Sequence, residues 1–243
     1  MGGAIGRGLL RAGYPAGDLV VSNHTAGKLE AFRAEGATVT TDNREAARLG
    51  DIIILAVKPW IVPVVIDEIK EVLDSSRQTL VSVAAGVSGE SLASEVAAGV
   101  YIAIPNTAAE VCESMTFVTC VRESCTAAVM KLFGRLGEVM EVEERLLPAA
   151  TTLASCGIAY AMRYIRAAME GGVELGFRAS VAQAIVAQTV KGAAALVNRD
   201  GSHPESEIDK VTTPGGLTIR GLNEMERAGF TQAVIRGLKA AVK

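Results

Sequence analysis

The sequence is poor in histidine, cysteine and aromatic residues, and each shortage excludes a class of protein. Its two histidines, His24 and His203, lie far apart in the chain, so no histidine-based metal site is expected. The four cysteines show no Cys-x-x-Cys spacing and no disulfide framework, which predicts reduced thiols in a cytoplasmic protein. One tryptophan and five phenylalanines among abundant alanine, glycine and valine favour packed helices and parallel strands over a β-sandwich.

Long runs of one charge and long apolar runs are also lacking. The formal net charge is −3 and no extended basic segment occurs, so nucleic acid is not an expected partner. No apolar stretch approaches the roughly 20 residues of a membrane span, so no membrane association is expected. Residues 1–7 lack the charged start and apolar core of a signal peptide. The 49% hydrophobic and 21% charged content indicates a folded chain of one large or two modest domains.

Residues 1–143 alternate short β-rich runs with amphipathic segments. The predicted strands are 19–23, 37–41, 51–57, 79–83, 100–104, 115–121 and 139–142. The predicted helices between them are 28–35, 43–49, 61–73, 88–96 and 126–136. The continuously apolar run at 51–57 is typical of a strand buried on both faces. This alternation predicts an α/β fold with a Rossmann-like, doubly wound parallel sheet.

Residues 144–243 contain no predicted strand. Long Ala-rich helical patterns cover 147–175, 180–198 and 217–242. A helical unit of only about 100 residues has a limited core of its own, so we expect it to pack against a copy of itself. The predicted organisation is therefore a dinucleotide-binding domain at 1–143 and an all-helical domain at 144–243.

The chain opens directly on a predicted helix, Met1-Gly-Gly-Ala-Ile-Gly-Arg7. In dinucleotide-binding sheets a strand and a glycine-rich turn precede this helix, and the cofactor pyrophosphate lies on its N-terminus. Gly2 resembles the last glycine of the G-x-G-x-x-G fingerprint, but the preceding strand and turn are missing from the sequence. We therefore expect a sheet without its first strand. An ordinary small-residue helix start explains Met-Gly-Gly equally well.

The end of the predicted strand 19–23 bears on cofactor choice. An NAD-preferring site usually has an acidic residue here that holds the ribose hydroxyls. Ser22-Asn23-His24-Thr25 instead offers several donors and no acid, with Lys28 nearby. Such donors suit a 2′-phosphate, so NADPH is favoured and NADH stays open. A polar strand-to-helix loop without a ligand is the alternative.

Three further strand ends carry residues suited to a ligand. Lys58 follows the most apolar strand, Asn106 and Thr107 follow another, and Val83-Ala-Ala-Gly86 ends a third in small residues. For Lys58 alone, an ordinary solvated lysine is the alternative. Together with 22–25, these features along one carboxyl edge predict a cofactor cleft.

The segment Thr212-Thr-Pro-Gly-Gly-Leu-Thr218 precedes a predicted helix and carries the strongest functional signal in the sequence. Pro214 fixes one φ angle, while Gly215 and Gly216 allow conformations that other residues avoid. The N–H groups of a helix start attract a small anion such as a carboxylate or phosphate. An ordinary capped turn is the alternative for this segment alone.

Taken in order, these segments resemble the pyrroline-5-carboxylate reductase family. The motifs that carry the resemblance are Met1-Gly-Gly-Ala-Ile5, Ala56-Val-Lys-Pro59, Val81-Ser-Val-Ala-Ala-Gly-Val87, Pro105-Asn-Thr107, Gly157-Ile-Ala-Tyr160 and Pro214-Gly-Gly-Leu-Thr218, which together span nearly the whole chain. One segment departs from the family pattern: Ile158 stands where the family has proline, and Cys156 replaces a serine.

The resemblance implies NADPH-dependent reduction of 1-pyrroline-5-carboxylate to L-proline by hydride transfer to the C=N bond. It places Ser22, Asn23, His24 and Thr25 at the 2′-phosphate, Asn43 at the adenine-ribose end, Ala56, Lys58 and Pro59 along the ribose and pyrophosphate, and Val83, Ala85 and Asn106 near the nicotinamide. With Gly2, these are the expected cofactor-binding residues.

The resemblance also implies a substrate site at the C-terminal motif. Thr213, Gly215, Gly216 and Leu217 would bind the substrate carboxylate, largely through backbone N–H groups. Thr218 would hydrogen-bond the ring nitrogen and is the candidate catalytic residue. Residues 144–243 would form a dimerisation and substrate-binding domain that gives a dimer, with a decamer of dimers left open.

Two other functions remain open from the sequence. A β-hydroxyacid dehydrogenase-like NADP oxidoreductase would need a lysine that acts on a hydroxyl, and Lys191 is the candidate, although its pattern fits a helix-surface lysine. A non-catalytic oligomer that has lost its cofactor site is the other alternative, and the missing glycine turn supports it.

Overall fold

The structure, a computed structural model, describes residues 1–199 and 201–242 and divides after Ser155 into two units. The first unit contains every strand of the described residues, and the second is helical. The described residues thus form one unit with strands and one helical unit. The division falls after Ser155 instead of residue 143, because Leu147 and Ala150 pack in a core cluster of the first unit.

The strands of the first unit form two sheets. They are β1 (Val20–Ser22), β2 (Thr38–Thr40), β3 (Ile52–Leu55), β4 (Thr79–Ser82), β5 (Gly99–Ile104), β6 (Ser114–Arg122) and β7 (Gly137–Glu141). β1 and β2 pair in parallel, and a five-stranded sheet has the order β3-β4-β5-β6-β7. The Rossmann-like fold is confirmed.

The prediction of an entirely parallel sheet is wrong at one pair, because β6 runs antiparallel to β5. The connection between them, residues 105–113, is shorter than the dozen or so residues that a parallel crossover needs. It contains a 3₁₀ turn at Thr107–Val111, which ends at Cys112 in the left-handed region with φ 60°. The chain therefore reverses direction at this point.

The helices of the first unit lie between the strands. They are α1 (Gly2–Arg11), α2 (Glu30–Ala34), α3 (Asn43–Leu49), α4 (Val62–Ile69), α5 (Gly89–Glu95), α6 (Thr126–Gly134) and α7 (Leu147–Ala150). The side chain of Asp42 accepts the Arg44 N–H at 2.8 Å and so caps α3. Ser88 caps α5 by accepting the Ser91 N–H at 3.3 Å.

The core of the first unit is centred on β4 and β5, every residue of which is buried. β3, predicted to be buried on both faces, is only half-buried over Ile52–Ile54. Its position at one edge of the five-stranded sheet explains the difference, since an edge strand has a neighbour on one side only.

Helix α1 packs closely on the 3₁₀ turn at Thr107–Val111. Gly8 makes this possible, because a Cβ at that position would lie 2.0 Å from the Ala109 carbonyl oxygen. At the surface, Arg7 Nε donates to Glu110 Oε1 at 2.9 Å, and this guanidinium lowers the pKa of the Glu110 carboxyl. The orientation of α1 is thus fixed against the end of β5.

The second unit contains α8 (Gly157–Glu174), α9 (Ala179–Val197), α10 (Pro204–Val211), α11 (Leu217–Arg227) and α12 (Phe230–Ala241). The predicted helix 147–175 is α7, then a π-helical turn at Thr151–Cys156, then α8. The predicted helix 217–242 is two helices, because Gly229 adopts a φ of 83° between α11 and α12.

Among the described residues of the second unit, only Ala182 is buried. Gly172 of α8 allows the contact there, since a Cβ on it would lie 3.0 Å from the Ala182 Cβ. Large apolar side chains are left exposed, including Met162 at 60% and Leu175 at 82% of their surface. The expectation that these helices have little core of their own is met.

One expectation about hydropathy is wrong. Helix α9 has 19 residues and a mean hydropathy of 1.3 in its most apolar 18-residue window, which satisfies the length and composition of a membrane span. Only 6% of that window is buried. An exposed, Ala-rich helix of this kind also suits a helix–helix interface.

Candidate functional site

The start of α1 lies against the end of β3. A Cβ on Gly2 would come 3.0 Å from the Ala56 Cβ, so the two residues are in near contact. Met1 has no side chain that caps the helix, and the first N–H groups of α1 have no acceptor within the helix. This combination of close backbone approach and free donors fits a dinucleotide pyrophosphate.

The carboxyl ends of β3, β4 and β5 lie side by side. Leu55 is opposite Ser82, Ser82 is opposite Ile102, and the Val83 N–H donates to the Leu55 carbonyl at 3.1 Å. The structure therefore brings Ala56 and Val83 together at one sheet edge.

Lys58 is extended and precedes the 3₁₀ turn Pro59–Ile61. Its ammonium nitrogen lies 6.0 Å from the centre of the Trp60 ring, at the limit of a cation–π contact. Trp60, the single tryptophan of the chain, is 72% exposed. Because it lies beside the candidate cofactor residues, its fluorescence is suited to report cofactor binding.

The loop after β4 consists of small residues and is held by a hydrogen bond at its end. Ala84 is buried and Ala85 is exposed, while Gly86 adopts a φ of 79° that disfavours other residues. Just beyond the loop, the Gly89 N–H donates to the Glu144 carboxylate at 3.0 Å. Ala85 therefore lies on an exposed surface of small residues, and the hydrogen bond from Gly89 to Glu144 holds the chain in place after it.

Asn106 is only 5% exposed. Its Oδ1 accepts the Ala108 N–H at 3.0 Å, and its Nδ2 donates to the Ala154 carbonyl at 3.4 Å. Both polar side-chain atoms therefore have partners inside the first unit. The side chain shapes the turn after β5, instead of standing at an open rim as its sequence position suggested.

The residues expected at the 2′-phosphate lie at the end of β1. Ser22 Oγ donates to Asn43 Oδ1 at 2.8 Å, which joins β1 to the first residue of α3. Asn23 Oδ1 accepts the Thr25 N–H at 2.9 Å and so shapes the loop. His24 is exposed, as is Lys28.

Glu68 of α4 extends this arrangement, although no sequence pattern points to it. Its Oε2 accepts from Asn43 Nδ2 at 2.7 Å. On an amphipathic helix an acidic residue normally indicates a solvated face. Only the packing of α3 beside α4 reveals the contact.

In the second unit, the segment Thr213–Gly216 forms a tight turn. The Gly216 N–H donates to the Thr213 carbonyl at 3.0 Å, Pro214 occupies the second position, and Gly215 has a φ of 68° at the third. This is the pattern of a type II turn. A Cβ on Gly216 would lie 2.4 Å from Thr213 Oγ1 and 3.0 Å from the Thr213 carbonyl oxygen, so a side chain at this position would disturb the turn.

The turn leads directly into α11, whose first turn has no acidic residue and no side-chain cap. The first N–H groups of α11, from Leu217 onward, are free to bind an anion, and Leu217 is 84% exposed. The family resemblance implied that the Gly216 N–H binds the substrate carboxylate. In the structure this N–H closes the turn, so it is not available to a ligand. Arg220 Nη2 donates to the Gly215 carbonyl at 2.8 Å and stabilises the turn.

Lys191 and the surface concavities lie apart from the two candidate sites, which are the sheet edge beside α1 and the start of α11. Lys191 is exposed on α9. Surface concavities of about 310 Å³ beside α1 and α2 and about 240 Å³ beside α8 and α9 lie away from the expected site residues, so neither marks the site. Within residues 1–199 and 201–242, no group of three His, Cys, Asp or Glu side chains could hold a metal ion.

Two family models match the chain. Residues 144–243 match the pyrroline-5-carboxylate reductase dimerisation family, and residues 1–86 match the family of coenzyme F420-dependent NADP oxidoreductases. The first match covers the helices of the second unit, and the second covers α1 through the loop after β4.

Similar proteins extend over nearly the whole chain. Pyrroline-5-carboxylate reductase 2 of Dictyostelium discoideum is 36% identical, and the match covers 98% of this chain and 86% of the relative. The Arabidopsis thaliana pyrroline-5-carboxylate reductase is 34% identical, covering 100% of this chain and 90% of the relative. The crystal structure of Plasmodium falciparum pyrroline carboxylate reductase with NADP bound superposes with a TM-score of 0.88 at 27% identity, covering 100% and 92% of the two chains.

Proposed function

The chain belongs to the pyrroline-5-carboxylate reductase family, and we propose that it catalyses the NADPH-dependent reduction of 1-pyrroline-5-carboxylate to L-proline. The reaction adds a hydride to the C=N bond in the last step of proline biosynthesis. This function rests above all on the donor-rich, uncapped start of α11 after the type II turn, which suits the carboxylate of an imino acid.

The first unit would hold the cofactor. Gly2 and Ala56 allow a close approach of the pyrophosphate, and the α1 N–H groups supply donors for it. Lys58 adds a positive charge, and the small residues Val83 and Ala85 leave room for a flat ring. When bound, NADPH supplies the hydride that the C=N carbon receives.

The second unit would hold the substrate. The N–H groups at the start of α11 would fix the carboxylate, with the Thr213 hydroxyl beside them. Thr218 would hydrogen-bond the ring nitrogen and keep the C=N bond in one orientation. A protonated imine is electrophilic by itself, so the chain contributes mainly by positioning.

We expect Thr218→Ala to lower kcat/KM for 1-pyrroline-5-carboxylate by roughly tenfold or more, the weight of one hydrogen bond to a charged group. Thr218→Ser keeps the hydroxyl and should restore most of the loss. Steady-state NADPH oxidation, with 3-hydroxy acids as comparison substrates, measures both. An unchanged value for the alanine variant would exclude this role of Thr218.

Self-association would complete the second unit. Its exposed apolar side chains and its match to a dimerisation family support at least a dimer. We expect sedimentation velocity at micromolar concentration to give a mass of 50 kDa or more, about twice that of the 25.3 kDa chain. A monomer under these conditions would contradict the proposal.

A larger assembly of dimers and a cytoplasmic location without membrane association are part of the same proposal. Helix α9 would then lie against other helices of the assembly instead of in a lipid bilayer. The same sedimentation run distinguishes a dimer from a decamer of dimers.

A further inference from the structure

Three side chains from three elements form a hydrogen-bonded chain beside the candidate 2′-phosphate site. Ser22 at the end of β1 donates to Asn43 Oδ1 at 2.8 Å, and Asn43 Nδ2 at the start of α3 donates to Glu68 on α4 at 2.7 Å. No basic side chain of residues 1–199 and 201–242 forms an ion pair with Glu68. Its negative charge is therefore not neutralised by a salt bridge in the described part of the chain.

Glu68 determines which way the Asn43 amide points. An ionised carboxylate only accepts hydrogen bonds, so it requires the NH₂ end of the amide on its side. The opposite orientation would bring Asn43 Oδ1 against the Glu68 carboxylate, two acceptors in contact. The carbonyl end of Asn43 is consequently held toward Ser22.

This orientation decides what Ser22 can offer to a ligand. A serine hydroxyl has one hydrogen, and here that hydrogen points to Asn43. The remaining lone pairs of Ser22 can accept a hydrogen bond from a ribose hydroxyl. They repel a phosphate oxygen, because that oxygen is also an acceptor. The Ser22 hydroxyl, expected to donate to a 2′-phosphate, is thus set to accept.

We propose that Glu68, acting through Asn43 and Ser22, is a specificity-determining residue that shifts cofactor preference away from NADPH and toward NADH. This inference rests on the proposed function, because it assigns the end of β1 to the adenosine end of the cofactor. Glu68 acts by positioning and by charge. Its carboxylate is separated by the Asn43 side chain from the end of β1, where NAD sites usually carry an acidic residue.

The central test is Glu68→Gln. The glutamine amide can donate to Asn43, so the Asn43 amide is free to turn and the Ser22 hydrogen is released toward the ligand. The loss of charge acts in the same direction. We expect the ratio of the NADH to the NADPH dissociation constant to rise by roughly tenfold, the weight of one hydrogen bond to a charged group.

Quenching of Trp60 fluorescence measures both dissociation constants without substrate. Asp67→Asn is the matched control, because it makes the same charge change one residue earlier on α4, where Asp67 pairs with Lys70 at 2.7 Å. Its ratio should stay within about twofold of the parent value. In a Ser22→Ala background, Glu68→Gln should lose most of its effect on the ratio.

Three results would overturn the inference: an unchanged ratio in Glu68→Gln, an equal shift in Asp67→Asn, or weaker binding of both cofactors by the same factor. A purely structural role of Glu68 predicts the last of these. The variants can change the ratio of dissociation constants as expected while the parent chain does not reduce 1-pyrroline-5-carboxylate. In that case the proposed function fails and the inference stands. Absence of binding by both cofactors would overturn both.

Discussion

Gly216→Ala is expected to lower kcat/KM for 1-pyrroline-5-carboxylate by on the order of a hundredfold, since two hydrogen bonds to a carboxylate at about 1.5 kcal/mol each would be lost. The new methyl group would lie 2.4 Å from Thr213 Oγ1 and 3.0 Å from the Thr213 carbonyl oxygen. The hydroxyl can rotate away, but the backbone carbonyl cannot. The carbonyl must therefore shift by a few tenths of an ångström, and we expect the first N–H groups of α11 to move away from the anion with it.

Gly221→Ala is the matched control for this effect. It makes the same substitution in the same helix, at a position where a Cβ meets nothing within 4 Å. Its kcat/KM should stay close to the parent value, and alanine is the better helix former. The dissociation constant for NADPH, measured by Trp60 fluorescence, should be unchanged in both variants. A Gly216→Ala protein with near-normal kcat/KM would contradict the carboxylate site.

Gly8→Ala is expected to reduce the free energy of unfolding of the first unit by about 3 kcal/mol, the upper end of the usual cost of overpacking. The new Cβ would lie 2.0 Å from the Ala109 carbonyl oxygen and 2.7 Å from Leu136 Cδ2. Because the closer atom belongs to the backbone, α1 must shift as a whole. The Gly2 end of the helix would move with it, so the affinity for NADPH should also fall.

Urea denaturation followed by far-UV circular dichroism measures the change, with Gly134→Ala as the control. Gly134 is the last residue of α6, and a Cβ there meets nothing within 4 Å. The control should be as stable as the parent or slightly more so. If Gly8→Ala is equally stable, the close packing of α1 on the 107–111 turn is not present in solution.

Local signals accounted for most of the fold. Helix α3 was predicted at its observed bounds, because Asp42 and the apolar spacing mark a helix start. Helix α10 was missed, although Pro204 in its first turn and Lys210 in its last are helix signals of the same kind. The antiparallel direction of β6 was missed, although the predicted strands 100–104 and 115–121 leave too short a connection between them for a parallel crossover.

The candidate site was predictable only in part. Strand ends indicated the sheet edge with Ala56 and Val83, since parallel strands present their carboxyl ends together. The sequence could not reveal that the Asn106 side chain is used internally or that Gly216 N–H closes a turn. Nor could it link Asn43 to Glu68, because that contact depends on how α3 packs beside α4.

The activity assigned to this chain is the reduction of 1-pyrroline-5-carboxylate to proline with hydride from NADPH. Measuring L-proline formed and NADPH consumed in the same reaction tests it most directly. One proline is expected for each NADPH oxidised, with a strongly reduced rate for Gly216→Ala. No NADPH oxidation by the folded parent chain, or oxidation without proline, would contradict it.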